Sequence, residues 1–164
     1  MLKKIVSVTA LVIAALSPSL VLAADDARAA IHITANIPNK QFHVQPRDPE
    51  FGKDEVMHYN PVTRKLSPVR QIFDVKNTEG SVHAHLDGDS WLSNGSNQIV
   101  IGVRFNNVEL FNSLSQEVVD DATSTPGTQA EMYIYAPFPT SRSQAGLYTG
   151  LITVIFDAVP RVSL

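Results

Sequence analysis

The chain contains no cysteine, which excludes disulfide frameworks, thiolate zinc sites and cysteine nucleophiles and leaves stability to burial alone. Charge is sparse, at 18% of 164 residues, and leans acidic, to a formal −3. Nucleic acid and anionic membrane surfaces select a basic excess, so neither is expected as a partner. The phosphate-cradling patterns Gly-x-Gly-x-x-Gly and Gly-x-x-x-x-Gly-Lys are missing, as is the Gly-x-Ser-x-Gly elbow of a hydrolase. No cofactor is expected, and no enzyme. What remains is 44% hydrophobic, with Gly 8 and Pro 10, and suits one globular domain.

The N-terminus carries an export signal. Lys3 and Lys4 precede the uncharged run Ile5–Leu16, and Val21-Leu22-Ala23 offers a small-residue exit. Ser17, Pro18 and Ser19 interrupt the run well short of the roughly 20 residues that a bilayer-spanning helix needs. Residues 1–23 therefore read as a cleaved signal peptide. A cut after Ala29 ranks second because it would put Asp25 and Asp26 inside the signal. Losing Lys3 and Lys4 moves the formal charge from −3 to −5. The short two-lysine start looks bacterial and directs the chain to the periplasm and onward to the cell surface.

Beyond the signal, alternation at period two recurs along the whole chain, and no useful helical period does. Ile31, Ile33, Ala35 and Ile37 alternate with polar residues until Pro38, which has no N–H for a ladder. Further strands are expected at Gln41–Gln45, Val56–Tyr59, Val69–Lys76, Ser81–Leu86, Gln98–Asn106, Val108–Phe111, Ala130–Ala136 and Gly146–Asp157. Val69–Lys76 and Ser81–Leu86 read as a hairpin around Asn77-Thr78-Glu79-Gly80. Ser113–Thr128 reads as a loop with one helical turn around Gln116–Asp121. Setting aside the two shortest, Val56–Tyr59 and Val108–Phe111, about seven strands with irregular links predict an all-β sandwich.

Few residues suggest chemistry. His83 and His85 stand two apart, so on a strand both face one side, a spacing compatible with a shared metal ion. No third ligand is evident, and a polar outer face is the better account. Asp87-Gly88-Asp89 starts like a calcium loop but lacks the closing glutamate, so it reads as a turn. Trp91 could stack on a sugar, although a lone tryptophan in a sandwich is expected in the core. Together with the loops it supports a rival reading: an exported β-sandwich binding module that recognises sugar or protein, with Ile31–Ile37 as its own first strand.

Both ends of the chain resemble a known family. Ile31-His32-Ile33-Thr34-Ala35-Asn36-Ile37-Pro38 is similar to the N-terminal segment of major pilins of the alternate, or alpha, chaperone–usher class, the colonisation-factor fimbriae of Gram-negative bacteria. Ala145-Gly146-Leu147-Tyr148-Thr149-Gly150-Leu151-Ile152-Thr153-Val154 is similar to their C-terminal Gly-x-Tyr-x-Gly strand. The resemblance implies an immunoglobulin-like sandwich that lacks one strand and is completed by a strand from the next subunit. Residues 24–38 would then be leader and donor strand, and residues 39–164 the incomplete pilin domain. Ile31, Ile33, Ala35 and Ile37 would enter the neighbour's groove. Leu151, Ile152, Val154 and Phe156 would form one wall of the acceptor groove, and the first core strand, near Gln41–Gln45, the other. The implied partners are identical subunits, a periplasmic chaperone, an outer-membrane usher and a tip adhesin. The length leaves no room for a second, receptor-binding domain, so a shaft subunit is expected.

Overall fold

The computed structural model describes residues 34–35, 37, 40–140 and 145–162, and every element below lies in the unit Ile37–Leu164. The alternating segments form β1 (Phe42–Pro46), β2 (Tyr59–Asn60), β3 (Lys65–Leu66), β4 (Val69–Asn77), β5 (Gly80–Leu86) and β6 (Trp91–Ser93). There follow β7 (Gln98–Val100), β8 (Gly102–Phe105), β9 (Val108–Glu109), β10 (Gln116–Val119), the single helical turn α1 (Asp121–Ser124), β11 (Thr128–Tyr135) and β12 (Val154–Pro160). A five-stranded antiparallel sheet, ordered β1-β4-β11-β8-β9, lies against a three-stranded one, β10-β5-β12, and two small hairpins, β2-β3 and β6-β7, stand apart.

Alternation decides what is buried. On β4, Phe73 and Val75 face inward, on β5 Val82, Ala84 and Leu86, on β8 Val103 and Phe105, and on β11 Ala130 and Met132. Phe105 meets Phe73 edge-on at 5.5 Å and Phe156 at 4.8 Å, which ties both sheets together through rings.

The expected hairpin of Val69–Lys76 with Ser81–Leu86 does not form. β4 and β5 follow one another through a tight corner but bond in different sheets. Both strands carry a mainly apolar inner face, so they turn those faces toward each other. Buried Asn77 holds the corner: its Nδ2 donates to the Ser81 carbonyl at 2.7 Å, and its Oδ1 accepts the Glu79 N–H at 3.1 Å. Ser124 Oγ, from α1, donates to the Gly80 carbonyl at 2.5 Å. A side chain at position 80 would strike the Val159 carbonyl and lie 2.7 Å from the Arg161 nitrogen, so the corner requires glycine.

Four other segments depart from the sequence reading. Val56–Tyr59 is strand only at Tyr59, which with Asn60 forms β2. Gln98–Asn106 is broken at Ile101, whose N–H bonds the Ser90 carbonyl at 2.9 Å while its own carbonyl takes the Ser90 hydroxyl at 2.7 Å. Gln116–Val119 is strand rather than helix because Val118 and Val119 are buried, and the helical turn starts later, capped by Asp120 Oδ1 on the Thr123 N–H at 2.8 Å. The long final strand begins only at Val154. Before it, Gly146 adopts φ +137°, and Gly150 lies so close to the Trp91 carbonyl and Leu92 that no side chain fits. Between these glycines Thr149 exchanges two bonds with Ser93 at 2.8 and 3.0 Å. Trp91 is 39% exposed on β6 and is not a core residue.

Candidate functional site

One long side of the sandwich is closed. There Gln116 Nε2 of β10 donates to the Glu109 carbonyl of β9 at 2.6 Å, and Asn106 Nδ2 donates to the Val118 carbonyl at 2.6 Å. The other side is bounded by β1 and β12, each the last strand of its sheet. Among the described residues, no strand pairs with the outer edge of either.

Register fixes what those two edges present. The Asp87 N–H to Thr153 carbonyl bond at 3.0 Å and the Arg161 N–H to Glu79 carbonyl bond at 2.8 Å commit the odd-numbered residues of β12 to β5. Val154, Phe156 and Ala158 therefore turn their N–H and C=O groups to the open side. On β1 the same parity follows from Thr78 N–H on the Gln41 carbonyl at 3.0 Å and Arg47 N–H on the Ile72 carbonyl at 2.9 Å. Phe42, Val44 and Pro46 face the opening, the last with a carbonyl only. Pro160 likewise ends β12 without a donor.

The side chains of these residues point inward, yet the core does not cover them. Phe42 and Ala158 are exposed, and Val44, Val154 and Phe156 are half-buried against the core cluster, together with Phe51 and Ile152. Phe51 meets Phe73 at 5.7 Å, and Phe73 meets Phe156 at 6.2 Å. An apolar trough lined by unpaired backbone can do one thing well, which is to accept an extended apolar strand.

Of the residues named from the sequence, Ile152, Val154 and Phe156 lie at this trough. Leu151 precedes β12 and is 86% exposed. On the donor side, Ile31 and Ile33 lie outside the described residues, and Ala35 and Ile37 are exposed and in no strand. Sequence reasoning missed Phe51 and Ala158, which carry no motif: one sits in a loop, the other at the end of an alternating run. His83 and His85 both face outward from β5, where His83 Nε2 lies 3.9 Å from Glu117 and His85 Nδ1 3.4 Å from Asp157. Among the described residues, no three potential ligands converge as a metal site.

Arg161, just past β12, anchors the end of that wall. Its Nη2 donates to Asp121 Oδ1 at 2.7 Å and to Thr125 Oγ1 at 3.0 Å, and its Nε donates to Asp121 Oδ2 at 3.0 Å. The Arg161 hydrogen bond, with a further one from Thr125, holds the Asp121 carboxyl below its ordinary range.

A two-sheet sandwich with one side left open is the architecture of a fimbrial subunit. The fold is similar to that of the CooA pilin subunit from enterotoxigenic Escherichia coli, with a TM-score of 0.54 and 19% identity over 70% of this chain and 86% of that one. The family of CS1 type fimbrial major subunits matches residues 27–157, and the chain belongs to it. No curated protein sequence matches the chain. The protein is thus a structural subunit of a surface fimbria, the class that the two ends of the sequence resembled.

Proposed function

We infer that the subunit polymerises by strand addition: residues 31–37 of one copy fill the trough between β1 and β12 of the next. The observation that carries this reading is the open side itself, where inward-facing Ala158 is exposed and two strand edges run unpaired. Ile31, Ile33, Ala35 and Ile37 are the inserted side chains, and Val154 and Phe156 with Val44 and Phe51 receive them, with Leu151 and Ile152 at the mouth.

Lengths and energies agree. Seven extended residues reach about 23 Å, the length of β12. Burying three isoleucines yields roughly 5–9 kcal/mol, and each of several ladder bonds about 1 kcal/mol. Ordering seven residues costs roughly 7–14 kcal/mol, so the insert alone comes close to balance. The driving force is the acceptor's own core, which closes as the trough fills. An empty subunit exposes that core, which is why a periplasmic chaperone belongs on the route to the surface, with an outer-membrane usher and a tip adhesin at its end. Residues 1–23 serve as the export signal and residues 24–38 as leader and donor. Nothing in this role involves a catalytic step.

Ile33→Asp tests the reading. A charge in the neighbour's trough abolishes assembly, while the variant's own sandwich folds as before and still accepts an unaltered donor. Normal multimer ladders from this variant on non-reducing gels without heating would refute the insertion.

A further inference from the structure

The sandwich has a corner end, marked by Asn77–Gly80, and a loop end opposite, and large exposed apolar side chains are spread unevenly between them. At the corner end the exposed large apolar side chains are Phe42, which lines the trough, and Val162, and the charges are paired, Lys40 with Glu79 at 3.0 Å and Arg161 with Asp121 at 2.7 Å. At the loop end Val62, Trp91, Phe111, Phe138, Leu147 and Leu151 all stand exposed. Topology gathers them there. The β2-β3 hairpin carrying Val62 is pinned to the segment after β11 by Thr140 N–H on the Arg64 carbonyl at 2.8 Å, beside Phe138. Thr149, bonded to Ser93, brings Leu147 and Leu151 beside Trp91, and the Leu86 N–H takes the Phe111 carbonyl at 3.0 Å. Scattered exposed apolar residues are ordinary, whereas concentration at one end marks a contact surface.

We propose that this loop end seats the body of the neighbouring subunit, a second copy of this chain, pressed against it end to end once the strand has been inserted. The proposal rests on the insertion reading and adds a second face to it. β1 runs from the corner end to the loop end and β12 runs back, so an insert is antiparallel to one and parallel to the other. Antiparallel pairing is the more stable per residue, and β12 offers three uninterrupted free residues where β1 is cut short by Pro46. The insert therefore runs antiparallel to β12, and its last residue, Ile37, emerges at the loop end. From Ile37 to Phe42, five residue steps span at most about 17 Å. The donor's body cannot stand away from the loops at that distance, and its own corner end must face them. Val162, exposed beside that corner, supplies an apolar counterpart. The patch is also continuous with the trough, since Leu151 leads through Ile152 straight into β12. A head-to-tail contact that does not close on itself gives a filament.

The test places charge on the proposed face without touching the trough, in a Val62→Asp/Phe138→Asp double variant of the full chain. Both side chains are exposed, at 89% and 67%, so the fold tolerates the change. Binding of a synthetic peptide of residues 30–38 to the trough should match that of the parent, while multimer yield at equal concentration falls about tenfold and the surviving multimers dissociate at lower temperature. Multimers unchanged in length and dissociation temperature would overturn the proposal and mean that the patch serves a partner other than this chain, or none. Lost peptide binding would equally overturn it, by making the patch part of the trough. Ile33→Asp run in parallel separates the two readings. If it still assembles, the insertion has failed; if it is blocked while the double variant assembles normally, only the end face has failed.

Discussion

Arg161 and Asp121 show how a residue outside any strand can decide the geometry of one. The guanidinium bridges from the end of β12 to α1 by three side-chain bonds, to Asp121 twice and Thr125 once, and also reaches the Thr78 carbonyl at 3.3 Å. Because the pair is solvent-exposed, its contribution to stability is small and screened by salt. Its sign is nonetheless fixed. A carboxyl whose folded pKa is lowered stabilises the fold above its unfolded pKa, and that contribution disappears as pH falls through the folded value. Asp121→Asn should therefore lower the urea midpoint at neutral pH, and parent and variant should converge in strong acid. A gap that persists there would mean that the carboxylate charge is not what holds the corner. The outer face of the larger sheet is tied differently. Arg70 lies 4.4 Å over the ring of Tyr133, which stacks on Tyr135 at 5.3 Å, with Arg104 4.9 Å from the Tyr135 ring. Burial first, then the Glu109 hydrogen bond, push the Tyr135 phenol up, so it keeps its proton and donates a hydrogen bond to the Glu109 carboxylate at 3.0 Å. Those stacked rings are structural and offer no free platform to a ligand.

At the scale of elements, β12 joins core and trough. Phe156 packs on Phe105 and Phe73 from inside while its backbone faces out. Phe156→Ala should cost about 3 kcal/mol, read as a lowered denaturation midpoint, and should weaken strand acceptance in proportion. Full stability in the variant would show that the ring is not part of the core. Strands of this kind were legible in the sequence wherever one face is buried: β4, β5 and β11 alternate cleanly, and their bounds fall within a residue or two of expectation. The errors arise where tertiary bonding overrides pattern. Gly146–Thr153 is as apolar as a strand, but the backbone of Gly150 presses on the β6 hairpin and cannot continue one. Gln116–Val119 carries polar residues at its start that suggested a loop, because only the sandwich shows that Val118 and Val119 are covered. The β4–β5 corner resembles a hairpin turn in its residues, and only the two inward apolar faces assign the strands to separate sheets. Similarly, the trough's wall at Val154 and Phe156 was readable from the apolar run, whereas Phe51 belongs to it through a loop that no periodicity describes.

At the scale of the whole molecule, the proposed insertion makes this a fold whose last element is supplied by another chain. Peptide 30–38 added to the Ile33→Asp variant at a hundred times its dissociation constant should stabilise the variant by about 2.7 kcal/mol, raising its melting temperature by about 10 °C. An unmoved transition would mean that the trough is not a binding site. Such completion leaves the length of the borrowed ribbon to be determined, and the two walls determine it. Pro46 and Pro160 stand at opposite extremities of the opening, each lacking the amide hydrogen that would extend a ladder. A ribbon running past either proline finds no N–H there to bond, and a shorter one leaves core exposed. Under the proposed insertion the two imino acids would act as the stops of a gauge, so that every joint along the fibre would admit the same measure of its neighbour.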